Sequence, residues 1–244
     1  MIHSIIVKNK INMLDMTKKY FIIPARKGSK GIKDKNIIDL GGIPLFIWSL
    51  IHAQYMHKSE DRILFSSDSD EYLEIASKYS PILIKRSESL SDDYSSTESV
   101  MSHALKNFEI SKNDDIVLLQ PTSPFRYKKT LDKFLDIINS GSESTVTVKA
   151  THPFVWKESK SGLYEKRFSE RLPRQISTPT YIETGSMYQV KFNYFYENKL
   201  RNKDHSNILI TQDIENIDID SNIDLELSKI YIEDYKAQWD EFNI

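Results

Sequence analysis

Tyr20-Phe21-Ile22-Ile23-Pro24 is an apolar run of strand length, and it leads directly into the polar loop Ala25-Arg26-Lys27-Gly28-Ser29-Lys30-Gly31. An apolar run that stops at a loop rich in Gly, Ser and Lys is typical of a strand buried in a parallel sheet. After the loop, residues 45–57 carry apolar side chains at roughly helical spacing, which predicts a helix. The first unit of the chain is therefore strand, loop and helix.

The same alternation continues along the next hundred residues. The predicted strands cover 62–65, 81–85, 115–120 and 144–150, and the predicted helices cover 70–79, 97–108 and 128–139. Strands that alternate with helices predict an α/β fold with a mainly parallel, doubly wound, Rossmann-like sheet. Ligands of such sheets bind at the carboxyl ends of the strands.

The alternation stops between residues 151 and 184. This segment contains three prolines and a hairpin-like Lys160-Ser161-Gly162. A segment of this length without a covering helix is more typical of a functional arm or lid than of an ordinary loop.

Regular structure returns after the arm. Residues 185–191, 208–212 and 217–219 are predicted strands, and residues 221–239 are a predicted closing helix. Ser221 and Asp224, three residues apart, have the pattern of a capping pair at the start of that helix.

Composition limits the classes of protein to which the chain can belong. Of 244 residues, 39% are hydrophobic and 28% are charged, which is typical of a globular protein and predicts one domain, 20–244, after an N-terminal extension, 1–19. The absence of cysteine excludes disulfides, thiol nucleophiles and cysteine-ligated zinc. A net charge of −2 gives no basis for nucleic-acid binding. Without a membrane-length apolar run or a signal-peptide pattern, we expect a cytoplasmic protein that binds no membrane.

The loop after the first strand has the composition of a phosphate-binding site. Residues 24–36 contain five cations and two glycines. Glycines let backbone N–H groups approach a polyanion, and Arg and Lys neutralise phosphate oxygens. The loop therefore predicts a triphosphate cradle, although it lacks the spacing of a P-loop or of G-x-G-x-x-G. The alternative is a solvated basic loop.

Two further segments carry polar groups suited to ligand binding. Gln120 to Arg126 reads as a strand that ends in a rigid turn, because Pro121 and Pro124 fix backbone angles. Its amide and hydroxyl groups can read a base edge or a ribose, and the alternative is a plain proline turn. Asp218-Ile219-Asp220 places two carboxylates on one side of an extended strand, a pattern that suits Mg²⁺. The alternative here is a solvated acidic strand end.

Six segments together carry a family resemblance: Ile23-Pro24-Ala25-Arg26, Gly28-Ser29-Lys30-Gly31, Lys35-Asn36, Ser66-Ser67-Asp68, Arg86 with Ser95-Ser96, and Leu118-Leu119-Gln120-Pro121-Thr122-Ser123-Pro124-Phe125-Arg126. In order and spacing they resemble CMP-sialic acid synthetases, also called acylneuraminate cytidylyltransferases, from Tyr20 to nearly the end of the chain. The resemblance implies a fold of the nucleotide-diphospho-sugar transferase type. It also implies transfer of CMP from CTP to a nine-carbon 2-keto sugar acid, such as N-acetylneuraminic or legionaminic acid, with Mg²⁺ or Mn²⁺.

The resemblance also implies a set of site residues. The expected CTP-binding residues are Ala25, Arg26, Gly28, Ser29, Lys30, Lys35, Asn36, Arg86, Ser96, Gln120, Thr122 and Ser123. The expected sugar-binding residues are Gln120, Lys157, Arg174, Gln175, Thr184 and Gly185. The expected catalytic residues are Arg26, Lys35, Asp218 and Asp220, the two aspartates being the metal ligands. The arm is expected to join two copies into a homodimer and to lend Lys157 and Arg174 to the neighbour's pocket.

One position departs from the family pattern. Thr184-Gly185-Ser186 stands where members commonly show Asn-Gly-Ala or Asn-Gly-Ser. Thr lacks the paired donor and acceptor of an amide, so either the contact to the sugar differs or the backbone makes it.

Other functions stay open as alternatives. The acceptor can be a different keto acid, such as Kdo or pseudaminic acid, although Lys30-Gly31-Ile32-Lys33 differs from the Ser-x-Arg-Leu-Pro of Kdo synthetases and the Lys-Arg-Ile-Pro of pseudaminate enzymes. A non-catalytic sugar-nucleotide binding module is the alternative from another class. Both the phosphate-binding cations and the metal-binding acids are present, which disfavours that module.

Overall fold

Seven strands form one sheet in the part of the chain that the structure describes. The structure, a computed structural model, describes residues 17–29, 31–92 and 94–242, without the side chain of Asp240. The strands of the sheet are β1 (Lys19–Pro24), β2 (Arg62–Ser67), β3 (Ile82–Lys85), β4 (Asp115–Leu119), β5 (Ser144–Thr151), β8 (Thr180–Lys191) and β9 (Asn207–Ile210). Their order across the sheet is β3-β2-β1-β4-β8-β5-β9.

Most strand pairs of this sheet are parallel. β1 pairs in parallel with β2 and with β4, β2 with β3, and β5 with β9. Only β8 is antiparallel to its neighbours, β4 and β5. The prediction of a mainly parallel α/β sheet is therefore confirmed. Because β1, β3 and β4 point the same way, the residues that follow them meet at one edge of the sheet.

Helices pack on both faces of the sheet. They are α1 (Leu45–Met56), α2 (Asp70–Ser77), α3 (Thr97–Leu105), α4 (Lys128–Asn139), α5 (Phe192–Asn198) and α6 (Asn222–Lys236). Phe21 and Ile23 of β1 pack in one core with α1, α4 and α6, and Ile22 packs in the other core with α3 and α5. β1 is buried on both faces, which explains its uninterrupted apolar run. None of the described helices is long and apolar enough to cross a membrane.

The capping pair predicted for the closing helix is confirmed. The Ser221 hydroxyl accepts from the Asp224 amide, and the Asp224 carboxylate accepts from the Ser221 amide at 2.8 Å. Ser221, the N-cap residue, directly follows Asp220, so the cap holds the chain next to this predicted metal ligand.

Two predictions of strands are wrong. Residues 217–219 form no strand, and the Ile219 amide instead donates one backbone hydrogen bond to the Thr122 carbonyl at 2.8 Å. The strand predicted from Gly185 begins at Thr180, because its first residues pair with β5 beyond the end of β4. The arm is therefore shorter than predicted and covers 152–179. α5 is a further element that the sequence pattern does not predict.

The arm contains a small hairpin, as its sequence predicts. β6 (Trp156–Glu158) and β7 (Tyr164–Lys166) pair in antiparallel fashion outside the main sheet. The turn between them is closed by a hydrogen bond from the Ser159 amide to the Leu163 carbonyl at 2.8 Å.

His52 is buried on α1 with no exposed surface. Its Nδ1 lies 3.1 Å from the Arg126 guanidinium, which can only donate, so Nδ1 is the acceptor and Nε2–H donates to the Tyr235 hydroxyl at 2.7 Å. Burial, together with the nearby Arg126 charge, holds the pKa of His52 well below its ordinary value. The imidazole is therefore neutral in the folded protein.

We predict that the protein loses stability as the pH falls below about 6.5. The unfolded chain binds a proton at His52 in this range and the folded chain does not, so the free energy of unfolding decreases by up to about 1.4 kcal/mol per pH unit from this residue. Urea unfolding between about pH 5 and 7 should show a smaller slope for His52→Gln than for the wild type. His57→Gln, at an exposed position just past α1, should keep the wild-type slope. Equal slopes for the wild type and His52→Gln contradict the prediction.

Candidate active site

A cavity of about 380 Å³ lies at the carboxyl ends of β1, β3 and β4. The predicted site residues that line it are Arg26, Ser29, Lys35, Asn36, Arg86, Gln120, Thr122 and Asp220. These residues come from distant parts of the chain, and the parallel strands bring them together. The cavity therefore joins the basic loop, the proline-containing turn and one of the two aspartates in a single site.

Two side chains of the basic loop donate hydrogen bonds to backbone carbonyls and so fix its shape. The Asn36 amide group donates to the Arg26 carbonyl at 2.9 Å, and the Arg26 guanidinium donates to the Ser91 carbonyl at 3.2 Å. Asn36 thus closes the loop on itself, while Arg26 reaches across the cavity towards the segment after β3. Lys30 lies outside the described residues.

Lys35 forms an ion pair with Asp220, although 185 residues separate them in the chain. The ammonium lies 2.7 Å from Oδ1, and the two side chains are 10% and 74% exposed. Gly31 lies against the same aspartate, since a Cβ at this position would lie 2.5 Å from the Asp220 carbonyl oxygen. The absence of a side chain at Gly31 therefore lets the basic loop approach the acidic segment.

The turn after β4 holds both the Gln120 side chain and the acidic segment. Gln120 Nε2 donates to the Gly185 carbonyl at 2.6 Å. The Thr122 carbonyl accepts the Ile219 amide at 2.8 Å. Because Ile219 is buried, the aspartates on either side of it are held next to the turn.

Asp218 lies in a different environment from Asp220. Its Oδ1 is buried without a hydrogen-bond partner in the part of the chain that the structure describes. Burial raises the pKa of Asp218, and the Asp220 charge raises it further, whereas the Thr122 hydroxyl and Lys35 lower it. An unpaired carboxylate oxygen next to a second carboxylate is the arrangement that a cation stabilises. The described residues contain no group of three acidic or histidine ligands, so phosphate or water oxygens would have to complete such a site.

Arg86 is a buried cation at the base of the cavity. It is 4% exposed, and its guanidinium lies 4.0 Å from the Asp68 carboxylate. Burial lowers the pKa of Arg86, with Asp68 acting in the opposite direction and Arg26 adding to the decrease. Asp68 therefore supplies the counter-charge that keeps this cation inside the protein.

Several predicted site residues do not line the cavity. Ala25 is buried beneath the loop, Gly28 is exposed, and Ser123 is buried. The Ser96 hydroxyl accepts from the Ser99 amide as the N-cap of α3, and Ser95 and Thr97 on either side of it line the cavity instead. Ser and Thr residues near the start of a helix can either cap the helix or face a ligand, so the sequence alone does not distinguish the two roles.

The Thr184 side chain points into the sheet. It is buried, and its hydroxyl donates to the Thr147 hydroxyl at 3.0 Å, where β5 has a bulge against β8. Gly185, with a φ of +76°, follows it and presents its carbonyl to Gln120. At this departure from the family pattern, the Gly185 carbonyl faces the site, and the Thr184 hydroxyl is already hydrogen-bonded to Thr147.

The predicted arm residues do not join this cavity within one chain. Arg174 lines a second cavity of about 610 Å³ in the arm, together with Arg167, Phe154 and Phe168. Lys157 and Gln175 are exposed and line neither cavity. Within a single chain, the site thus lacks the cations that were predicted to bind the sugar carboxylate.

The comparisons with known proteins show the family of the chain. A family model described as Cytidylyltransferase matches residues 20–176. The chain belongs to the cytidylyltransferase family. This confirms the resemblance on which the site residues were predicted.

Individual cytidylyltransferases match most of the chain. Pseudaminic acid cytidylyltransferase of Campylobacter jejuni is 31% identical over 228 residues, which are 87% of this chain and 95% of that protein. CMP-N,N'-diacetyllegionaminic acid synthase of Legionella pneumophila is 30% identical over 224 residues, with the same coverage. A solved structure of CMP:2-keto-3-deoxy-manno-octonic acid synthetase complexed with CTP superposes with a TM-score of 0.63 at 14% identity, covering 89% of this chain and 99% of that one. The last match concerns the fold alone.

We predict that Lys35→Met weakens the binding of CTP by roughly tenfold or more, because a charge-assisted contact to a phosphate is lost. Titration calorimetry with CTP measures the change. The matched control is Lys27→Met in the same loop, whose ammonium pairs with Glu71 at 3.2 Å on the exposed surface. The control should bind CTP within about twofold of the wild type. Equal losses in the two variants would show that the loop acts only through its total charge.

Proposed function

We propose that this cytidylyltransferase transfers CMP from CTP to the anomeric hydroxyl of a nine-carbon 2-keto sugar acid of the N-acetylneuraminic or legionaminic type. The observation that carries the proposal is the single cavity that unites Arg26 and Lys35 with Gln120 and Asp220. The names of the matching relatives support an acidic nine-carbon acceptor. CTP is a cytoplasmic metabolite, so we place the reaction in the cytoplasm.

The chain's own residues mainly position the reactants and neutralise charge. Arg26 and Lys35 bind the triphosphate and counter the charge that develops on pyrophosphate as it leaves. The sugar hydroxyl oxygen bonds to the α-phosphorus while the bond from that phosphorus to the β-phosphate oxygen breaks, and the hydroxyl proton passes to solvent. For such transfers, in-line alignment of the attacking and leaving oxygens is the protein's main contribution. We assign no side chain as a general base.

Asp218 and Asp220 suit a divalent metal. The unpaired Oδ1 of Asp218 and the exposed carboxylate of Asp220 offer oxygen ligands, and Mg²⁺ prefers one or two carboxylates with phosphate and water oxygens. When bound, Mg²⁺ or Mn²⁺ supplies positive charge near the α-phosphate and favours ionisation of the attacking hydroxyl.

The arm is proposed to complete the site of a second copy in a homodimer. Exposed apolar side chains are concentrated in it, namely Phe154, Val155, Trp156, Leu163, Tyr164, Leu172 and Ile176. Exposed apolar side chains that cluster in one segment are typical of protein interaction sites. If a second copy packs on this surface, Lys157, Arg174 and Gln175 of the arm lie beside the main cavity of that second copy. There the Arg174 guanidinium suits a carboxylate.

The experiment that tests the proposed function is CTP-dependent release of pyrophosphate with a panel of keto sugar acids. The panel contains N-acetylneuraminic, legionaminic and pseudaminic acids and Kdo. Turnover with either of the first two supports the proposal. Turnover with pseudaminic acid or Kdo alone assigns a different acceptor. CTP binding without turnover on any acid favours the non-catalytic module.

We predict that activity requires Mg²⁺ or Mn²⁺ and that Asp220→Asn lowers turnover by on the order of 100-fold or more, because charge stabilisation is lost. Turnover is measured across a metal titration. Asp213→Asn removes an exposed acid from the preceding segment and should stay within about twofold of the wild type. Undiminished turnover in EDTA would rule out the metal assignment.

We predict that two inactive variants restore part of the activity when they form a mixed dimer. Arg26→Ala removes a cation from the main cavity and Arg174→Ala removes one from the arm, so about half of the exchanged dimers contain one intact site. Activity is measured after subunit exchange, which native mass spectrometry verifies. If the verified mixture stays as inactive as its components, each site uses the arm of its own chain or none.

A further inference from the structure

Arg126 is buried behind the candidate site, and the function proposed above gives it no role. It is 1% exposed. Its Nη2 donates to the Gln120 carbonyl at 2.8 Å and to the Ser186 carbonyl at 2.9 Å. Its Nη1 donates to the Ser49 hydroxyl at 3.2 Å and to His52 Nδ1 at 3.1 Å. Within the described residues, no carboxylate forms an ion pair with it.

A buried guanidinium without an ion-pair partner is costly, because its charge is removed from water and the carboxylates of Glu215 and Asp218 act on it without direct contact. Burial lowers the pKa of Arg126 to about 10, so the group stays charged at neutral pH. Its partners are carbonyl, hydroxyl and imidazole groups, which accept from Nη1 and Nη2 without cancelling the charge, and its buried Nε has no partner among the described residues. Such a cation needs a reason beyond packing, since an apolar side chain of similar volume would avoid the cost.

The contacts of Arg126 converge on the point where the chain leaves β4 for the proline-containing turn. The Ser186 carbonyl that it holds also accepts the Gln120 amide at 3.2 Å. The Gln120 side chain in turn donates to the Gly185 carbonyl at 2.6 Å. The Arg126 guanidinium therefore links the Gln120 backbone to β8. The Gly185 carbonyl on the same strand accepts the hydrogen bond from the Gln120 side chain.

Arg126 is itself held from both sides of its backbone. Its amide donates to the Tyr235 hydroxyl at 2.8 Å, and that hydroxyl lies 2.8 Å from the Arg126 carbonyl. His52 lies against the same hydroxyl. α6 thus holds the backbone of Arg126, and α1 holds its guanidinium. The guanidinium in turn holds the end of β4.

We propose that Arg126 is a positioning residue for the nucleotidyl transfer, acting through Gln120. It holds the Gln120 and Ser186 carbonyls so that the Gln120 side chain keeps one orientation in the cavity, and it does not contact the substrates. The proposal rests on the proposed function for its kinetic consequence. The fixed geometry of Gln120 can be measured without turnover.

The kinetic test is a double-mutant cycle. Arg126→Lys keeps the charge but lacks the planar fork that reaches two carbonyls, so kcat/KM should fall about tenfold in the wild type and less than about twofold in a Gln120→Ala background. The control cycle pairs Arg126→Lys with Lys35→Met, where the two effects should multiply. Multiplicative effects in the Gln120 cycle would show that Arg126 does not act through Gln120.

The second test follows the amide of Gln120 by hydrogen exchange in NMR. Arg126→Lys should increase its exchange rate by about tenfold or more, because the Ser186 carbonyl is no longer held. The control is Ile138→Ala, which removes part of a buried side chain of α4 and lowers stability without touching Arg126. Each protein is measured at the same number of degrees below its own Tm, so that a general loss of stability is corrected for. Unchanged exchange at Gln120 in Arg126→Lys overturns the proposal even if the wild type transfers CMP to none of the sugar acids, so the two failures are distinguishable. Should Arg126→Lys not fold, Ser49→Ala removes the hydroxyl that accepts from the guanidinium and that also lies 3.4 Å from the Gln120 carbonyl, and it should change the same amide in the same direction.

Discussion

The hydrogen bond from the Ile219 amide to the Thr122 carbonyl, 2.8 Å long, is the contact on which the site depends. It ties the acidic segment to the turn after β4, almost a hundred residues earlier in the chain. Buried Ile219 packs beneath this contact, and the N-cap of α6 begins two residues later. Both aspartates are therefore held from two directions. Without that contact, only the Lys35 ion pair and the close approach of Gly31 would join the acidic segment to the rest of the site.

The site is balanced in charge before any ligand arrives. Lys35 pairs with Asp220, and Arg86 lies near Asp68. In the proposed complex, the triphosphate replaces the first of these contacts. The Asp220 side chain is already 74% exposed, so losing Lys35 costs it little, whereas Lys35 is 10% exposed and would gain a new partner in the proposed phosphate. The released carboxylate then faces solvent, where it is available to the metal proposed above.

The sequence predicted most of the fold, and its failures have physical causes. Residues 128–139 were predicted with the observed bounds, because α4 has one apolar face and one polar face over three turns. β8 was predicted too short because residues 180–183 are exposed and carry no buried pattern. The alternation of Asp218, Ile219 and Asp220 was interpreted as a strand. Instead of the repeated hydrogen bonds of a sheet, this segment makes one backbone–backbone hydrogen bond within the described residues, from the Ile219 amide to the Thr122 carbonyl. Nothing in the local sequence of Arg126 indicates a buried cation, since its partners lie on three other elements.

Gly31 separates the loop of this chain from the loop pattern of pseudaminate enzymes. The chain is about equally identical to a pseudaminic acid and a legionaminic acid enzyme, so overall identity does not separate the two acceptors. A Cβ at Gly31 would lie 2.5 Å from the Asp220 carbonyl oxygen, a distance that real Cβ atoms do not reach. A Lys-Arg-Ile-Pro loop would place an arginine at this position and push the loop away from Asp220. In its present backbone, the loop of this chain therefore has no room for the arginine of the pseudaminate pattern, and the close approach of the basic loop to Asp220 depends on this one glycine.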